Sequence, residues 1–381
     1  MSSQPHVIVL GLGVVGSSIA EALAARKYRV TALEQFAPLH ERGSSHGDSR
    51  IFRRVPHEGP AYVKLAARSY EVWQRWNEAA GDELLVACGG VDAGPPDSAM
   101  VEAALQLCQQ MGRPFGLLSG DGLNRRFPQY NLPAHWRAVF QPESGYVRPD
   151  ATLTFLHKAA REHGARLMFE TRVTEIEPQS SGIIVRAGNE ALQGDFLVIA
   201  AGAWLPKIMP PVSTMLRAER RVTAWYRPQG ESLDASRFAV FVIDADGGWY
   251  GMPTPRGDVK IGHDKHLGEA IDPDQPPQLP NEEDRRKLSD CMSRYFRGFS
   301  ETPASMKACL YTIASDHHFV IDRHADYAHV LVFSCCSGHG FKYAPVYGEI
   351  AADLIVDRPR DDLAGFRLNR PIQQAVTRFS E

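Results

Sequence analysis

The segment His6–Glu34, HVIVLGLGVVGSSIAEALAARKYRVTALE, decides how this chain begins to fold. Two apolar runs, Val7–Leu10 and Tyr28–Leu33, flank a glycine turn and an amphipathic stretch, and the second run ends on the acid Glu34. This order predicts a strand, a turn, a helix and a second strand, which is the βαβ unit that binds dinucleotides. A glycine-rich turn in an ordinary α/β domain is the alternative, and the complete βαβ pattern disfavours it.

Three glycines and the acid each have a physical task in such a unit. Gly11 permits a tight turn, Gly13 has no Cβ to obstruct a pyrophosphate, and Gly16 lets the helix pack close to the strand. The start of the following helix offers N–H groups and the positive end of its dipole to the phosphates. Glu34 is placed to accept a hydrogen bond from a ribose hydroxyl. The spacing therefore predicts a nucleotide-binding site at this turn.

Bulk composition is typical of a globular protein: 381 residues, enough for two domains, of which 44% are hydrophobic and 23% charged. The net charge of −3 gives no reason to expect nucleic acid or an anionic membrane as a partner. No apolar run reaches the length of a transmembrane helix, and the apolar start lacks the basic segment of a signal peptide, so we expect a cytosolic protein. The six cysteines show no metal-ligand spacing, and no metal site is expected.

Later patterns divide the chain into two regions. Alternating runs between Leu216 and Lys260 predict an antiparallel sheet, and a strand, a glycine turn and a helix near the C-terminus return to the pattern of the start. We therefore expect a discontinuous α/β nucleotide-binding domain and an α+β substrate domain with a mainly antiparallel sheet. The expected ranges are 1–80, 145–212 and 305–381 for the first domain and 81–144 and 213–304 for the second.

Three further motifs carry a family resemblance. They are SSHGDSRIFR at Ser44–Arg53, KACLYT at Lys307–Thr312 and SGHGFK at Ser337–Lys342, and they follow the nucleotide turn in this order. Together they resemble the D-amino-acid-oxidase superfamily of flavoproteins, and within it the group of monomeric sarcosine oxidases and N-methyltryptophan oxidases. The resemblance runs over nearly the whole chain, and these motifs are far more specific than the glycine turn. It implies that the cofactor is FAD, held in a Rossmann-like domain of the glutathione-reductase type.

The resemblance also implies a reaction. Members of the group oxidise an N-methyl amino acid, or a related secondary or primary amine, to an imine. Water hydrolyses the imine to an amine and an aldehyde, and dioxygen reoxidises the flavin to give hydrogen peroxide. The implied partners are a small amino acid and dioxygen, and the implied oligomeric state is a monomer. No strong base is needed, because a site that desolvates the amine lowers its pKa and leaves it neutral.

Several residues are assigned to the cofactor by the resemblance. The family's flavin is joined through its 8α-methyl group to a cysteine, and Cys309 matches that position, with a buried structural cysteine as the alternative. The backbone of the SGHGFK turn would donate N–H groups to the N1–C2=O edge of the flavin. The expected cofactor-binding residues are Gly11, Gly13, Gly16, Glu34, Ser44, His46, Gly47, Cys309, Gly338, Gly340, Phe341 and Lys342.

Cations are expected to hold the substrate and to assist oxygen reduction. Arg53 and Lys342 match the family's carboxylate-binding pair, and a guanidinium grips a carboxylate with two parallel hydrogen bonds. Lys260 matches the lysine that promotes oxygen reduction in relatives. Arg50 would add positive charge near the flavin ring, which favours an anionic reduced flavin.

The spacing on either side of Lys260 departs from the family's by one residue. The family's active-site histidine therefore corresponds to His263 or, less well, to His266, or its role is vacant. Tyr250 and Tyr311 match aromatic residues that line the substrate pocket, with ordinary core tyrosines as the alternative. The expected catalytic group is thus completed by His263 and Tyr311, and Tyr250 is expected to bind substrate.

Other functions remain open on the sequence. A flavin amine dehydrogenase would pass its electrons to another acceptor, and a glycine oxidase or D-amino-acid-type oxidase would act on another small amino acid. An NAD-dependent dehydrogenase would leave the SSHGDSR and GHGFK segments without a role. A non-catalytic FAD-binding scaffold would not need Arg53, Lys342 or Cys309, which are all present.

Overall fold

The computed structural model describes residues 4–234, 237–264, 270–275 and 279–371. The α-helices of this part of the chain are α1 Val14–Ala25, α2 Pro60–Ala80, α3 Ala99–Gln110, α4 Gly120–Arg126, α5 Pro149–Glu162, α6 Leu205–Ile208, α7 Glu282–Tyr295 and α8 Ala344–Ile355. Short 3-10 helices lie at Gly202–Trp204, Pro210–Thr214, Phe341–Tyr343 and Asp361–Phe366.

The strands are β1 His6–Leu10, β2 Arg29–Leu33, β3 Arg50–Phe52, β4 Leu85–Val86, β5 Gly90–Gly94, β6 Gly116–Ser119, β7 Arg137–Gln141, β8 Gly145–Val147, β9 Arg166–Met168, β10 Val173–Pro178, β11 Ile183–Ala187, β12 Glu190–Gly194, β13 Phe196–Ile199, β14 Leu216–Tyr226, β15 Val240–Ile243, β16 Trp249–Pro253, β17 Val259–His263, β18 Ser305–Ala314, β19 Val320–Arg323 and β20 Val330–Ser334. None of the helices within the described ranges has both the length and the apolar character needed to cross a lipid bilayer.

The chain divides into two compact units. The first contains the described residues up to 47, residues 149–218 and those from 311 onward, and the second contains 48–148 and 219–310. Residues 48–80, 145–148 and 305–310 therefore lie in the second unit, whereas the sequence placed them with the nucleotide-binding domain, and residues 213–218 lie in the first. The physical reason for the first two differences is that β3 and β4 both pair antiparallel with β8, and α2 contacts β4.

The first unit is built on a six-stranded sheet in the order β19-β20-β13-β1-β2-β9. The five strands from β20 to β9 are parallel, and β19 joins the edge antiparallel. All five residues of β1 are buried, as expected for a strand covered on both faces of a parallel sheet. Helix α1 packs against α5 and α8. The βαβ unit predicted from His6–Glu34 is thus formed by β1, α1 and β2.

The second unit is built on an eight-stranded sheet in the order β18-β14-β17-β16-β15-β5-β7-β6. Its registered pairs are antiparallel except β5 with β15, which confirms the mainly antiparallel sheet predicted for the second half of the chain. Because side chains alternate along each strand, the sheet has two distinct faces. One face packs into a hydrophobic core that includes Phe241, Trp249 and Ile261.

The opposite face of this sheet carries the polar residues of interest. The registers pair Asp92 with Val242, Val242 with Tyr250, and Lys260 with both Met252 and Trp225. Alternation then places Asp92, Tyr250 and Lys260 on one face. A small sheet in the order β3-β8-β4 lies next to it, and Ile51 of β3 packs in one cluster with Tyr250. The second half of the SSHGDSRIFR motif therefore lies over this face.

Candidate active site

The nucleotide turn of the first unit is too tight to hold side chains. Gly11 has φ +97°, and a Cβ on it would approach the Ala200 carbonyl oxygen to 2.5 Å. A Cβ on Gly16 would meet the Gly11 carbonyl oxygen at 1.9 Å. The backbone N–H of Val14, at the start of α1, donates to Ser45 Oγ at 3.0 Å. The SSHGDSR motif therefore reaches the helix N-terminus through Ser45, a residue that the sequence analysis did not select.

Glu34 lies at the end of β2, where a ribose ligand is expected. Its two carboxylate oxygens accept hydrogen bonds from the backbone N–H groups of Leu12, at 2.9 Å, and Phe36, at 3.1 Å. Burial acts to raise the pKa of Glu34, but the side chain of His40 and these two N–H groups outweigh it and hold the pKa below its usual value. The carboxylate is therefore ionised at neutral pH, and its oxygens have lone pairs left for ribose hydroxyls.

The SGHGFK turn is held against β18. Gly338 has φ +80°, and a Cβ on it would meet the ring of Tyr311 at 2.9 Å. The Gly340 carbonyl accepts a hydrogen bond from the Tyr347 hydroxyl at 2.7 Å. Lys342 follows in the short helix Phe341–Tyr343 and is buried. The turn thus presents backbone with no room for side chains, which is the type of surface that a flat ring can approach.

The remaining predicted cofactor residues lie in loops and on β18. The Gly47 N–H donates to Asp150 Oδ1 at 3.0 Å, and His46 is buried. Ser44 Oγ lies 4.0 Å from the sulfur of Cys336. Cys309 lies on β18 and is buried. These contacts show where the residues lie, and their roles toward FAD remain predictions.

The residues of the first unit fit FAD. Gly11 and Gly16 leave only backbone at the phosphate turn, α1 directs its N-terminus to the same place, and Glu34 supplies an ionised acceptor. A Cβ on Gly338 would meet the Tyr311 ring, so glycine is needed for this turn to pack against β18.

Two predicted catalytic cations meet at one backbone atom in the second unit. The ammonium of Lys260 donates to the Ser49 carbonyl oxygen at 2.9 Å, and Arg50 Nη1 donates to the same oxygen at 2.8 Å. Lys260 is buried, and its Nζ lies 5.4 Å from the centroid of the Trp225 ring. Two positive charges beside one carbonyl make this part of the face strongly electropositive.

Arg53 is part of a buried polar cluster. Its guanidinium Nη2 lies 3.1 Å from Asp92 Oδ1, and its Nη1 lies 2.7 Å from His57 Nδ1. Burial acts to raise the pKa of Asp92, but the charge of Arg53 and the neighbouring His57 outweigh it and hold the pKa below its usual value. The sequence analysis missed Asp92 and His57. The sequence did contain a signal for Asp92, because it is the one acid in the otherwise apolar strand β5.

His263 does not share a face with Lys260, contrary to the expectation that both line one site. The two residues are three positions apart on β17, so their side chains point to opposite faces. The ring of His263 instead packs against that of Trp249, with centroids 4.3 Å apart and an interplanar angle of 56°, and its Nε2 is 2.7 Å from the Asp246 carbonyl oxygen. The second candidate, His266, lies outside the described residues.

The other predicted residues are distributed between the units. Tyr250 lies on the same face as Lys260, and Tyr311 lies against Gly338. Arg53 belongs to the second unit and Lys342 to the first, so their joint binding of a carboxylate stays a prediction.

Comparison with known proteins gives the family. Residues 6–354 match the family model described as FAD dependent oxidoreductase. A monomeric sarcosine oxidase of Streptomyces avermitilis is 35% identical over 362 residues, which cover 93% of this chain and 94% of the relative. An N-methyl-L-tryptophan oxidase of Yersinia pestis is 30% identical over 372 residues, which cover 96% of this chain and 98% of the relative.

A solved structure supports the same fold. NikD, described as an unusual amino acid oxidase essential for nikkomycin biosynthesis, has a TM-score of 0.84 to this chain at 20% identity, and the match covers 100% of both chains. The Rossmann-like fold predicted from the motifs is therefore confirmed. The family model matches most of the chain, and the sarcosine oxidase is similar over nearly its whole length. This protein therefore belongs to the FAD-dependent oxidoreductases that include monomeric sarcosine oxidase.

Proposed function

We propose that this chain is an oxidase of N-methyl amino acids such as sarcosine. It would convert the secondary amine to an imine, which water hydrolyses to an amine and an aldehyde, while dioxygen is reduced to hydrogen peroxide. The names of two relatives that match nearly the whole chain support the substrate class. The observation that carries the proposal is the meeting of Lys260 and Arg50 at the Ser49 carbonyl, on the sheet face that also bears Tyr250.

The first unit would hold the cofactor. The N-terminus of α1 and the glycine turn would receive the pyrophosphate, and Glu34 would accept from the ribose. The backbone around Gly338 would face the flavin ring, and the thiol of Cys309, a residue of the second unit, would form the covalent thioether. When bound, FAD accepts the hydride equivalent that leaves the carbon next to the substrate nitrogen.

The substrate would be held by its carboxylate. Arg53 and Lys342 supply the cations, and a guanidinium fixes orientation as well as charge because it donates two parallel hydrogen bonds. Tyr250 and Tyr311 would form aromatic walls that exclude water. Removal of water favours the neutral form of the amine, which is the form that can be oxidised.

Lys260 and Arg50 would assist the reaction with oxygen. One-electron reduction of dioxygen develops negative charge, and a nearby cation fixed before the reaction stabilises that charge. The Ser49 carbonyl holds both cations in place, so little reorganisation is needed. We also expect a cytosolic monomer, and light scattering on the purified protein tests the oligomeric state.

A spectrum and a substrate panel test the proposal. The purified protein, supplied with FAD, is expected to show flavin absorption that is bleached anaerobically by sarcosine or a bulkier N-methyl amino acid. Admitting oxygen should restore the absorption and release peroxide. If only glycine or a D-amino acid bleached the flavin, the enzyme would act on another substrate class. Reoxidation by a dye but not by oxygen would make it a dehydrogenase.

Acid precipitation tests the covalent bond. Flavin is expected to stay with the precipitated wild-type protein and to enter the supernatant from Cys309→Ala. The buried thiol of Cys291 provides the matched control, because it is packed in the hydrophobic core cluster and no motif assigns it to the cofactor. Cys291→Ala should therefore keep its flavin in the pellet. Release of flavin from the wild type would refute covalent attachment and leave the oxidase proposal standing.

A further inference from the structure

The guanidinium of Arg53 already has a carboxylate partner within the protein. Its ion pair with Asp92 is buried, with Arg53 4% and Asp92 1% exposed. Nη2 of the guanidinium lies beside Asp92 and Nη1 beside His57, and a guanidinium has five N–H groups in all with which to bind acceptors. An incoming substrate carboxylate would therefore meet an arginine whose charge is balanced on one side.

The position of Asp92 is fixed by the sheet and not by the arginine alone. Gln141 lies on the neighbouring strand β7, and its Nε2 donates to Asp92 Oδ2 at 3.2 Å. The same amide group bonds both backbone groups of Val55, so it ties β7 to the segment that carries Arg53. Ser144 adds a hydrogen bond from the N–H of Arg54. The acid is thus held at a set place beside the guanidinium, before any ligand arrives.

We propose that Asp92 is the internal counter-ion of Arg53 and sets the charge preference of the substrate site. Its negative charge repels every carboxylate that approaches Arg53. An amino acid that enters as a zwitterion offsets this repulsion with its ammonium group before the amine is deprotonated for oxidation, and a simple carboxylate has nothing to offset it. Asp92 therefore shifts the selectivity of the site from simple anions toward zwitterionic amino acids. The inference rests on the proposed carboxylate-binding role of Arg53 and deepens it.

His57 lies beside both members of the ion pair. Its Nδ1 lies 2.7 Å from Arg53 Nη1 and 3.5 Å from Asp92 Oδ1. With Nδ1 accepting from the arginine, the ring fixes the plane of the guanidinium. His57 is a positioning residue in this view, whereas Asp92 determines charge selectivity.

Two ligands of equal size separate charge from shape. Glycine and propionate differ by an ammonium in place of a methyl group, and both are measured as competitors of amine oxidation by the FAD-loaded enzyme. Replacing Asp92 by Asn removes the charge and keeps the size. We expect Asp92→Asn to shift the ratio of the two inhibition constants toward propionate by about tenfold, the scale of an interaction with one nearby charge.

A second buried Arg–Asp pair provides the control. Asp284 lies 2.6 Å from Arg220 in the same unit, and both are buried. Asp284→Asn should lower stability as Asp92→Asn does, since each leaves a buried arginine without its partner. It should leave the glycine-to-propionate ratio unchanged. A shift of the ratio in both variants would show a general effect of instability and overturn the inference.

A pair of variants keeps the test decisive if Asp92→Asn does not fold. Arg53→Gln is compared with Arg53→Gln/Asp92→Asn, in which neither charge of the pair remains. The ratio should again move toward propionate when Asp92 is replaced. An unchanged ratio refutes the role of Asp92. If Arg53→Gln weakens neither ligand, the proposed carboxylate site itself fails, which is a separate result.

Discussion

His157 makes the stability of the first unit depend on pH in a way that can be calculated. It lies on α5 beneath the nucleotide turn, with its Nε2 2.9 Å from Ser17 Oγ, and the Ser17 hydroxyl donates to the Leu12 carbonyl at 2.8 Å. Burial disfavours the imidazolium and lowers the pKa of His157 from 6.5 to about 4. The neutral ring therefore belongs to the folded state.

The sign of the effect follows from proton binding. Below pH 6.5 the unfolded chain takes up a proton at His157, and the folded protein does not do so until the pH approaches 4. The contribution of the neutral His157 ring to the free energy of unfolding is thus complete above pH 6.5 and is lost as the pH falls toward 4. Integrating between these values gives a loss of about 2 kcal/mol at pH 5 and about 3 kcal/mol at the acid limit.

Urea unfolding of wild type and His157→Gln at pH 7.5 and pH 5 measures this loss. Glutamine keeps an amide nitrogen near Ser17 but does not titrate. We expect the wild type to lose about 2 kcal/mol more than the variant over this interval. His163→Gln is the control, because that histidine is exposed beyond the end of α5. Equal losses in the wild type and His157→Gln would refute the reasoning.

Three other substitutions test the candidate site. Gly338→Ala should lower the free energy of unfolding by about 1–2 kcal/mol and lower the flavin content, because φ is +80° and the new Cβ would meet the Tyr311 ring. Thermal melting measures the stability, and the ratio of flavin to protein absorbance measures the flavin content. An unchanged flavin content would contradict the prediction. Glu34→Gln should weaken FAD binding about tenfold by removing a charged acceptor, as fluorescence titration would show; equal affinity would exclude a ribose contact. Lys260→Met should slow flavin reoxidation by oxygen at least tenfold with little change in anaerobic reduction, followed by stopped flow, whereas the exposed Lys64→Met should change neither.

Local patterns predicted the parts of the fold that depend on neighbouring residues. The nucleotide turn and Glu34 could be predicted because all parts of a βαβ unit lie within roughly thirty consecutive residues. The start of the helix Glu282–Tyr295 is likewise a local feature, because the capping box of Asn281 and Asp284 lies within the same segment. Residues 48–80 were assigned to the other unit because nothing local shows that β3 pairs with β8.

Long-range pairings could not be predicted in the same way. Asp92 meets Arg53 only because β5 and the segment after β3 are brought together by the fold, and no spacing in the sequence reports that contact. The case of His263 differs, since its distance of three residues from Lys260 in a strand already implies opposite faces. For the side on which His263 points, the alternation of side chains along β17 is a better guide than the family's spacing.

The central position of β1 has a consequence for the synthesis of the protein. Val7 pairs with Phe196, Leu197 pairs with Val330, and α8 then covers α1. At about 5–20 residues per second, the first strand leaves the ribosome some tens of seconds before its sheet can be completed. During that time the apolar edge of the nucleotide fold needs shielding by chaperones. A message truncated before residue 330 would release a chain with that edge uncovered, and we expect such a product to aggregate before it binds flavin.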